Sequence, residues 1–425
     1  MAFNPLKEKG TPLDHQLRNW NRIVHKPYDK KMVDAYSRSR QILINGVEME
    51  AWIFNHSFAR QIDNDELKIT LAQIRHVEDQ QETTINWLTP GDQTILETTL
   101  AYEQVATDLT AYLAQNEPDE NVRRAFDFGL LEDFDHLYRY SQLYQMMEGR
   151  DPDEILQGRT DVFPGRPTQD HHNNSAVRLR HHYDRHSASP RTKVNVLTLL
   201  AGEQQTHNFY KAHGFMYAAP ALRKLYAEIA DVEEEHVTQY ESLIDPNETM
   251  LEKWLMHEFM EVCNYYTFLQ QEPDERLRRI YEEFLSYELE HLRIAGALMQ
   301  KYENRDPESV IGSEVVMPSR FDSQKGYVAK VLREQVDLRL TADKGYSRAS
   351  ELPADWPSYP HQERMNAEGT PSEEAVRMQC AVQGRDFVRA DQSLINEEEE
   401  IVARGLGEHK APQTVEPREL VGAGR

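Results

Sequence analysis

The feature that most constrains this chain is an internal repeat. Residues 45–147 align without a gap onto residues 200–302, at an offset of 155 positions. The clearest match is Glu117-Pro118-Asp119-Glu120, which returns as Glu272-Pro273-Asp274-Glu275. A register kept over the whole alignment indicates a duplicated structural unit.

Each copy divides again into two units with the same layout. A glutamate opens each unit, a second carboxylate follows 30 residues later, and a His or Gln stands three residues beyond: the four sets are 48/78/81, 103/133/136, 203/233/236 and 258/288/291. The segments between these positions are rich in helix-forming residues, with apolar residues at three- and four-residue spacing. Helix breakers lie near the middle of every unit, so each unit is predicted to be a helical hairpin.

Helix geometry brings the carboxylates of one hairpin together. Glu258 precedes the turn at Glu272 by 14 residues and Glu288 follows Glu275 by 13, so at about 1.5 Å per residue the two carboxylates lie at nearly equal height. His291 shares a helix face with Glu288. Two such hairpins bring four carboxylates and two histidines to the middle of a four-helix bundle, which is the arrangement of di-iron and di-manganese carboxylate proteins.

The repeat predicts an all-α protein with two four-helix bundles from a tandem duplication, plus an irregular C-terminal extension. The predicted boundaries are an N-terminal arm at 1–44, a degenerate bundle at 45–149, a His-rich linker at 150–195, a di-metal bundle at 196–303 and the extension at 304–425. Within the extension, helices are expected near 325–340 and 372–404.

Four stretches of the carboxy-terminal copy carry a further likeness: Ala201-Gly202-Glu203-Gln204-Gln205, Glu233-Glu234-Glu235-His236, Glu258-Phe259-Met260-Glu261 and Glu288-Leu289-Glu290-His291. Together they resemble the ligand helices of a rubrerythrin-type member of the ferritin-like superfamily. The Glu258-to-Glu261 spacing is similar to the motif that gives rubrerythrins an extra carboxylate. The resemblance implies a centre of two iron ions, with manganese or a mixed iron and manganese pair as alternatives.

The same resemblance implies a role for each ligand. Glu233 and Glu258 would bridge the two ions, Glu203 and Glu288 would be terminal ligands, and His236 and His291 would each bind one ion. Glu261 would be the exchangeable ligand and the candidate catalytic residue.

The amino-terminal copy departs from this pattern. Gln81 stands where the other copy has His236, Asp133 where it has Glu288, and Ala106 where it has Glu261. Its six positions are therefore predicted to form a degenerate second site, more polar core than metal centre: Glu48, Glu78, Gln81, Glu103, Asp133 and His136.

The connection between the second and third helices of a copy is short, since only 22 residues separate His236 from Glu258. Ferritin-like bundles have a long crossover at this point. The short connection favours simple up-down-up-down order, or hairpins that pair between chains as in the encapsulated half-ferritins.

The resemblance implies an oxidoreductase that reduces peroxide or activates dioxygen. Cys263 and Cys380 lie too far apart in sequence to form a CxxC iron site, so electrons are expected from an external donor. The alternatives are a ferroxidase or iron-handling protein, a di-iron oxygenase of an organic substrate, and a non-enzymatic oligomeric scaffold. Tyrosines near the predicted centres are interpreted as core aromatics, with redox tyrosines as the alternative: Tyr102, Tyr210, Tyr265, Tyr266 and Tyr287.

Charge and hydropathy restrict the partners. Lysine and arginine total 48 against 72 acidic residues, for a formal charge of −24, which disfavours nucleic acid as a partner. No run approaches the roughly 20 apolar residues of a membrane span, and the amino terminus lacks the apolar core of a signal peptide. We therefore expect a cytoplasmic protein without nucleic-acid or membrane partners. A C-terminal extension of this kind often wraps a partner subunit, so a homo-oligomer is expected.

Overall fold

A computed structural model describes residues 3–389 of the chain. As predicted, this part is mostly helical, with α1 (Trp20–Ile23), α2 (Ala35–Gln61), α3 (Asp65–Asn86), α4 (Ile95–Asn116), α5 (Glu120–Glu148), α6 (Asp153–Leu156), α7 (Ser175–Arg178), α8 (Pro190–His213), α9 (Pro220–Glu241), α10 (Met250–Gln271), α11 (Glu275–Glu303), α12 (Glu308–Ile311), α13 (Lys325–Gln335), α14 (Tyr359–Met365) and α15 (Pro371–Gln383). Two short antiparallel strands, β1 (Leu338–Leu340) and β2 (Tyr346–Arg348), pair with Leu338 opposite Arg348. Among the described helices, none is both long enough and apolar enough to cross a lipid bilayer.

The helix starts repeat at the same offset as the sequence. Thr94 begins α4 with a capping box in which its hydroxyl accepts a hydrogen bond from the backbone N–H of Glu97, while the Glu97 carboxylate accepts one from the N–H of Thr94. Thr249 and Glu252 form the same box at the start of α10. Such a box satisfies two backbone donors that the first helical turn leaves unpaired. The eight long helices thus form the four predicted hairpins: α2–α3, α4–α5, α8–α9 and α10–α11.

The hairpins pack across the two copies. The first helix group combines α2 and α3 with α10 and α11, and the second helix group combines α4 and α5 with α8 and α9. The helix α2 also packs against α8 and α4, and one continuous apolar core joins the two groups. This packing differs from the expectation that residues 45–149 and 196–303 each form a bundle of their own.

The links between consecutive hairpins are too short for a crossover along the bundle. The links between α3 and α4 and between α9 and α10 each contain eight residues. Eight residues span at most about 28 Å, whereas a helix of 22 residues is about 33 Å long. These links cannot run the length of a helix, and in the structure they carry the chain from one helix group to the other, in place of the simple up-down-up-down order within one copy. The longer segment 149–189 connects the two hairpins of the second group.

A buried ion pair fastens the turn of the α10–α11 hairpin to α2. The carboxylate of Glu272 accepts a hydrogen bond from Ser37 Oγ at 2.7 Å and one from Arg40 Nε at 2.7 Å. The side chains of Arg40 and Glu272 are 3% and 0% exposed. Glu272 also accepts from the backbone N–H of Asp274, which in turn caps α11.

The turn of the α4–α5 hairpin is fastened to α8 in the same way, by neutral partners. Glu117 accepts a hydrogen bond from Thr192 Oγ1 at 2.6 Å and one from Asn195 Nδ2 at 2.8 Å. Thr192 and Asn195 occupy the positions of Ser37 and Arg40 in the other copy. The best-matched stretch of the repeat, Glu-Pro-Asp-Glu at 117–120 and 272–275, therefore contains the glutamates that bind one copy to the other.

The segments outside the repeat are also packed. The predicted linker buries Arg166, His171 and Arg178 completely, so it belongs to the core and is more than a connection. The helix α15 packs on α5 and α9, and α13 packs on α5. Residues 390–425, with the end of the predicted 372–404 helix, lie outside the described residues.

The two turns predict unequal stability changes. Glu272→Gln leaves the buried guanidinium of Arg40 without its counter-charge, and we expect a loss of about 3 kcal/mol or more in the free energy of unfolding. Glu117→Gln removes no counter-charge and is expected to cost about 1 kcal/mol. Urea unfolding of both variants measures the difference, and equal losses would argue against a buried ion pair at Glu272.

Candidate metal centres

Buried carboxylates and imidazoles gather at one place in each helix group. Cluster A, in the first group, contains Glu48, Glu78, Glu258, Glu261, Glu288 and His291. Cluster B, in the second group, contains Glu103, Asp133, His136, Glu203, Glu233 and His236. No member of either cluster is more than 1% exposed.

The structure corrects the predicted grouping of the ligands. Of the six main ligands expected in one centre of the carboxy-terminal copy, it places Glu203, Glu233 and His236 in cluster B and Glu258, Glu288 and His291 in cluster A, together with Glu261. The predicted degenerate site divides likewise, with Glu48, Glu78 and Gln81 at cluster A and Glu103, Asp133 and His136 in cluster B. The cause is the pairing of hairpins across copies. As a result, cluster B contains two imidazoles, whereas cluster A contains one, and Gln81 lies beside it where a second imidazole would stand.

Cluster B has the layout of two neighbouring ion positions. One set of mutually close ligand atoms comes from Asp133, Glu203, Glu233 and His236, and a second comes from Glu103, His136 and Glu233, with all atoms of a set within 4.8 Å of one another. Glu233 belongs to both sets. A carboxylate between two ion positions can bridge two metal ions, as in dinuclear carboxylate proteins.

The ring of His236 is held by a carboxylate outside the cluster. Its Nε2 lies 2.7 Å from Glu132 Oε2, while its Nδ1 lies 3.3 Å from both Asp133 Oδ1 and Glu233 Oε2. Glu132 is in turn paired with Arg178, whose Nη1 lies 2.7 Å from it. Metal-binding histidines are commonly oriented in this way, with one nitrogen bound to a carboxylate and the other directed at the ion.

The histidines of cluster B offset only part of the negative charge of its four carboxylates. Burial, reinforced by the charge of Glu203, raises the pKa of Asp133 and of Glu233 well above the usual range. Burial also raises the pKa of Glu103, although the hydroxyl of Tyr210 donates a hydrogen bond to it. Several buried metal-binding atoms make no hydrogen bond, although His236 Nδ1 lies within ion-pair distance of three carboxylates. They are one oxygen each of Glu103, Asp133 and Glu233, both oxygens of Glu203, Nε2 of His136 and Nδ1 of His236.

Cluster A also offers two sets of ligand atoms. Glu78, Glu258, Glu261 and His291 form one, and Glu48, Glu261 and Glu288 form the other, again within 4.8 Å. Glu261 is shared by both sets, and neither of its oxygens has a hydrogen-bond partner. The carboxylate that the resemblance singles out as an extra ligand therefore lies at the centre of this cluster.

Gln81 already binds two carboxylates of cluster A. Its Nε2 donates to Glu288 Oε1 at 2.6 Å and to Glu48 Oε1 at 3.1 Å. His291 is oriented like its counterpart in cluster B, but by an amide, since its Nε2 lies 2.7 Å from Gln16 Oε1. An amide nitrogen is a donor only, so Gln81 stabilises the metal-free cluster where an imidazole would bind an ion.

Residues of the arm and the linker complete both sites, and sequence reasoning missed them. Gln16 comes from the amino-terminal arm, and Arg178 and Arg166 come from the segment between the copies. Arg166 Nη1 lies 3.6 Å from Glu132. Glu132 and the arginines carried a weak signal, because Glu132 directly precedes Asp133 and the segment between the copies is rich in arginine.

The residues present fit a pair of divalent metal ions. Among the described residues, the ion pairs of the cluster carboxylates are with histidines, and arginine or lysine takes no part in them. A buried charge without a partner is costly. In cluster B, two divalent cations would balance the four carboxylates.

Comparison of the chain with known protein families, curated proteins and solved structures found no match. The functional argument therefore starts from the two clusters themselves.

The clusters predict how the stability of the metal-free protein depends on pH. Burial raises the pKa of Glu78 to about 7. Burial alone would lower the pKa of His291, but the charge of Glu288 raises it to about 9. Both groups bind their protons more tightly in the folded state. The stability that Glu78 contributes is therefore lost between pH 4.5 and about 7, and the stability that His291 contributes is lost between pH 6.5 and about 9. We expect the melting temperature of metal-free protein to fall between pH 6.5 and 9.

Glu78→Gln is the matched control, because it removes one titrating group and should flatten the lower part of the curve. A melting temperature that rises over this interval in the metal-free wild-type protein would contradict the assignment.

Substitution of Glu132 is expected to change the metal affinity of cluster B although Glu132 is not a metal ligand. Glu132→Gln keeps a hydrogen-bond acceptor for His236 but removes the negative charge, and loss of such a positioning carboxylate lowers metal affinity by roughly 10- to 100-fold. Calorimetric titration with ferrous or manganous ion measures the affinity, and melting of the metal-free variant reports any loss of fold. An unchanged affinity in a folded variant would show that Glu132 does not position His236.

Proposed function

We propose that this chain is a dinuclear iron or manganese protein related to the ferritin-like, rubrerythrin-type proteins, with cluster B as its main metal centre. The observation that carries the proposal is the composition of cluster B: four carboxylates and two imidazoles, all buried, from four helices, with unpartnered ligand atoms facing one another. Two carboxylate-bridged positions with one imidazole each are typical of such centres.

The ligand types favour a first-row metal such as iron or manganese over an alkaline-earth ion. Carboxylates and imidazoles together suit iron, manganese and zinc, whereas alkaline-earth ions prefer sites made of oxygen alone. The metal-free cluster leaves several buried charges to be protonated or unpaired. Metal binding therefore releases protons and stabilises the fold.

Bound iron would supply Lewis acidity and electrons for the reduction of peroxide or the activation of dioxygen. The residues of the chain provide the surroundings. The second helix group excludes bulk water, Glu132 orients His236, and the Tyr210 hydroxyl binds Glu103. Cys263 and Cys380 are both unpaired, which supports an external electron donor.

Cluster A is proposed as a second, weaker site. Gln81 replaces one imidazole there and already occupies oxygens of two carboxylates. Glu261 keeps its proposed role as an exchangeable carboxylate, but at this cluster. A scaffold without metal would be expected to pair its buried carboxylates with arginine, and the ion pairs of both clusters weigh against that alternative.

Exchange of one residue between the clusters tests the proposal. His236→Gln gives cluster B the amide that cluster A already has, so we expect the tightly bound metal of about two ions per chain to fall and single-turnover oxidation by peroxide to slow. Gln81→His supplies the missing imidazole opposite Glu288, so metal binding at cluster A should strengthen. Elemental analysis and stopped-flow absorption after anaerobic ferrous addition measure both effects.

Glu234→Gln is the control, because the Glu234 side chain is 58% exposed and adjoins Glu233 without joining the cluster. If His236→Gln retains two ions and the full oxidation rate, then cluster B is not the metal centre. If wild-type protein binds no transition metal after iron loading, the proposed function itself fails.

A further inference from the structure

Three tyrosines lead from cluster B toward the protein surface. The hydroxyl of Tyr210 donates a hydrogen bond to Glu103. The ring centroid of Tyr210 lies 5.6 Å from that of Tyr226, which lies 5.2 Å from that of Tyr217. Tyr210 and Tyr226 are 1% exposed, whereas Tyr217 is half-buried and follows the exposed Phe215–Met216 segment. We call Tyr210, Tyr226 and Tyr217 the tyrosine path.

The hydroxyl groups of the outer two tyrosines, Tyr226 and Tyr217, are also in contact. The Tyr226 hydroxyl lies 2.7 Å from that of Thr99 and 3.5 Å from that of Tyr217. Tyr140 packs against the first two rings, with centroids 5.2 Å from Tyr210 and 5.0 Å from Tyr226. The aromatic contacts are thus continuous from a cluster carboxylate to a residue that solvent reaches.

Packing alone does not require tyrosine at these positions. At the offset of 155, Tyr226 corresponds to Leu71, which is fully buried in the other copy. Tyr210 and Tyr217 correspond to Asn55 and Ile62. The equivalent positions of the α2–α3 hairpin are therefore occupied by residues other than tyrosine.

Within residues 3–389, cluster A has no comparable path of tyrosines to the surface. Tyr265 donates to Glu48, and its ring centroid lies 6.2 Å from that of Tyr281. Beyond Tyr281 the described ring contact is with Phe268, and a phenylalanine ring is not oxidised under conditions that oxidise a phenol. Tyr281 is fully buried, so the series of phenols ends inside the protein.

We propose that the tyrosine path carries electrons one at a time from a soluble one-electron reductant at Tyr217 to cluster B. This inference rests on the proposed function, since it requires a redox metal there. Because the two cysteines cannot form a cysteine-bound iron site, the electrons must come from an external donor, and the tyrosine path gives them a route to the metal centre.

The steps balance in electrons and protons. Tyr210 gives an electron to the oxidised centre and its phenol proton to Glu103. It then recovers an electron from Tyr226 and its proton from Glu103. The Tyr226 proton passes across the hydroxyl contact to Tyr217, which releases its own proton to solvent. A hydrogen atom then moves from Tyr217 to Tyr226, and the reductant and solvent return one electron and one proton to Tyr217.

The test uses full-length, iron-loaded protein, oxidised once with peroxide and then mixed with ascorbate. In Tyr217→Phe and Tyr226→Phe we expect normal iron content and normal oxidation by peroxide, with re-reduction by ascorbate slowed by roughly tenfold or more. Tyr281→Phe is the matched control at cluster A and should leave re-reduction unchanged. The phenylalanine substitutions keep each ring, so folding is preserved.

Two further readouts do not depend on turnover. In wild-type protein without reductant, peroxide added beyond the two electrons that a diferrous centre supplies should oxidise the path, so freeze-quenched samples should show a tyrosyl radical by electron paramagnetic resonance, and peptide mass spectrometry should find oxidised Tyr217. In Tyr217→Phe the radical should persist after ascorbate is added. Re-reduction that proceeds equally fast in wild type and in both path variants would overturn the inference. Absence of any iron oxidation in wild type would instead overturn the proposed function, and the path with it.

Discussion

The structure depends on how nine buried carboxylates are compensated. Five lie in cluster A and four in cluster B, and each cluster is surrounded by helices that shield it from water. Charges of one sign at this density oppose folding unless protons, hydrogen bonds or cations offset them. Histidines provide part of the compensation in both clusters, and Gln81 provides more in cluster A. In cluster B several buried ligand atoms make no hydrogen bond, and two metal ions would bind these atoms and balance the four carboxylates.

The same demand explains why both copies and the segments between them form one core. Cluster B takes three of its six ligands from each copy, and cluster A takes two from the first copy and four from the second, so neither copy can complete a site alone. The buried glutamates Glu117 and Glu272 fix the exchanged hairpins by accepting hydrogen bonds from α8 and α2 of the opposite copy. The arm and the linker then supply Gln16 and Arg178, which hold the side chains beside the clusters. Each site therefore depends on contacts between segments that are far apart in sequence.

Much of this could be predicted from the sequence, and the rest could not for a physical reason. The helices and the ligand positions follow from the helical period and the repeat, and the all-α class is confirmed. The partner of each hairpin does not follow, because the repeat places equivalent carboxylates at equivalent heights. Glu258 can face Glu203 of its own copy or Glu48 of the other with the same register. The short connection after His236 is the one sequence feature that bears on hairpin pairing, because its length excludes a crossover along the bundle. The supporting roles of Glu132 and Gln16 required three-dimensional contacts.

The central claim is that a dinuclear metal centre forms from hairpins of both copies. Anomalous scattering at the iron edge, measured on a crystal of the iron-loaded full-length protein, tests it most directly. The account predicts two neighbouring peaks in cluster B beside Glu233, with ligands from Glu103 and His136 of one copy and Glu203 and His236 of the other. Peaks that lie elsewhere, or that are bound by residues of one copy only, would contradict it.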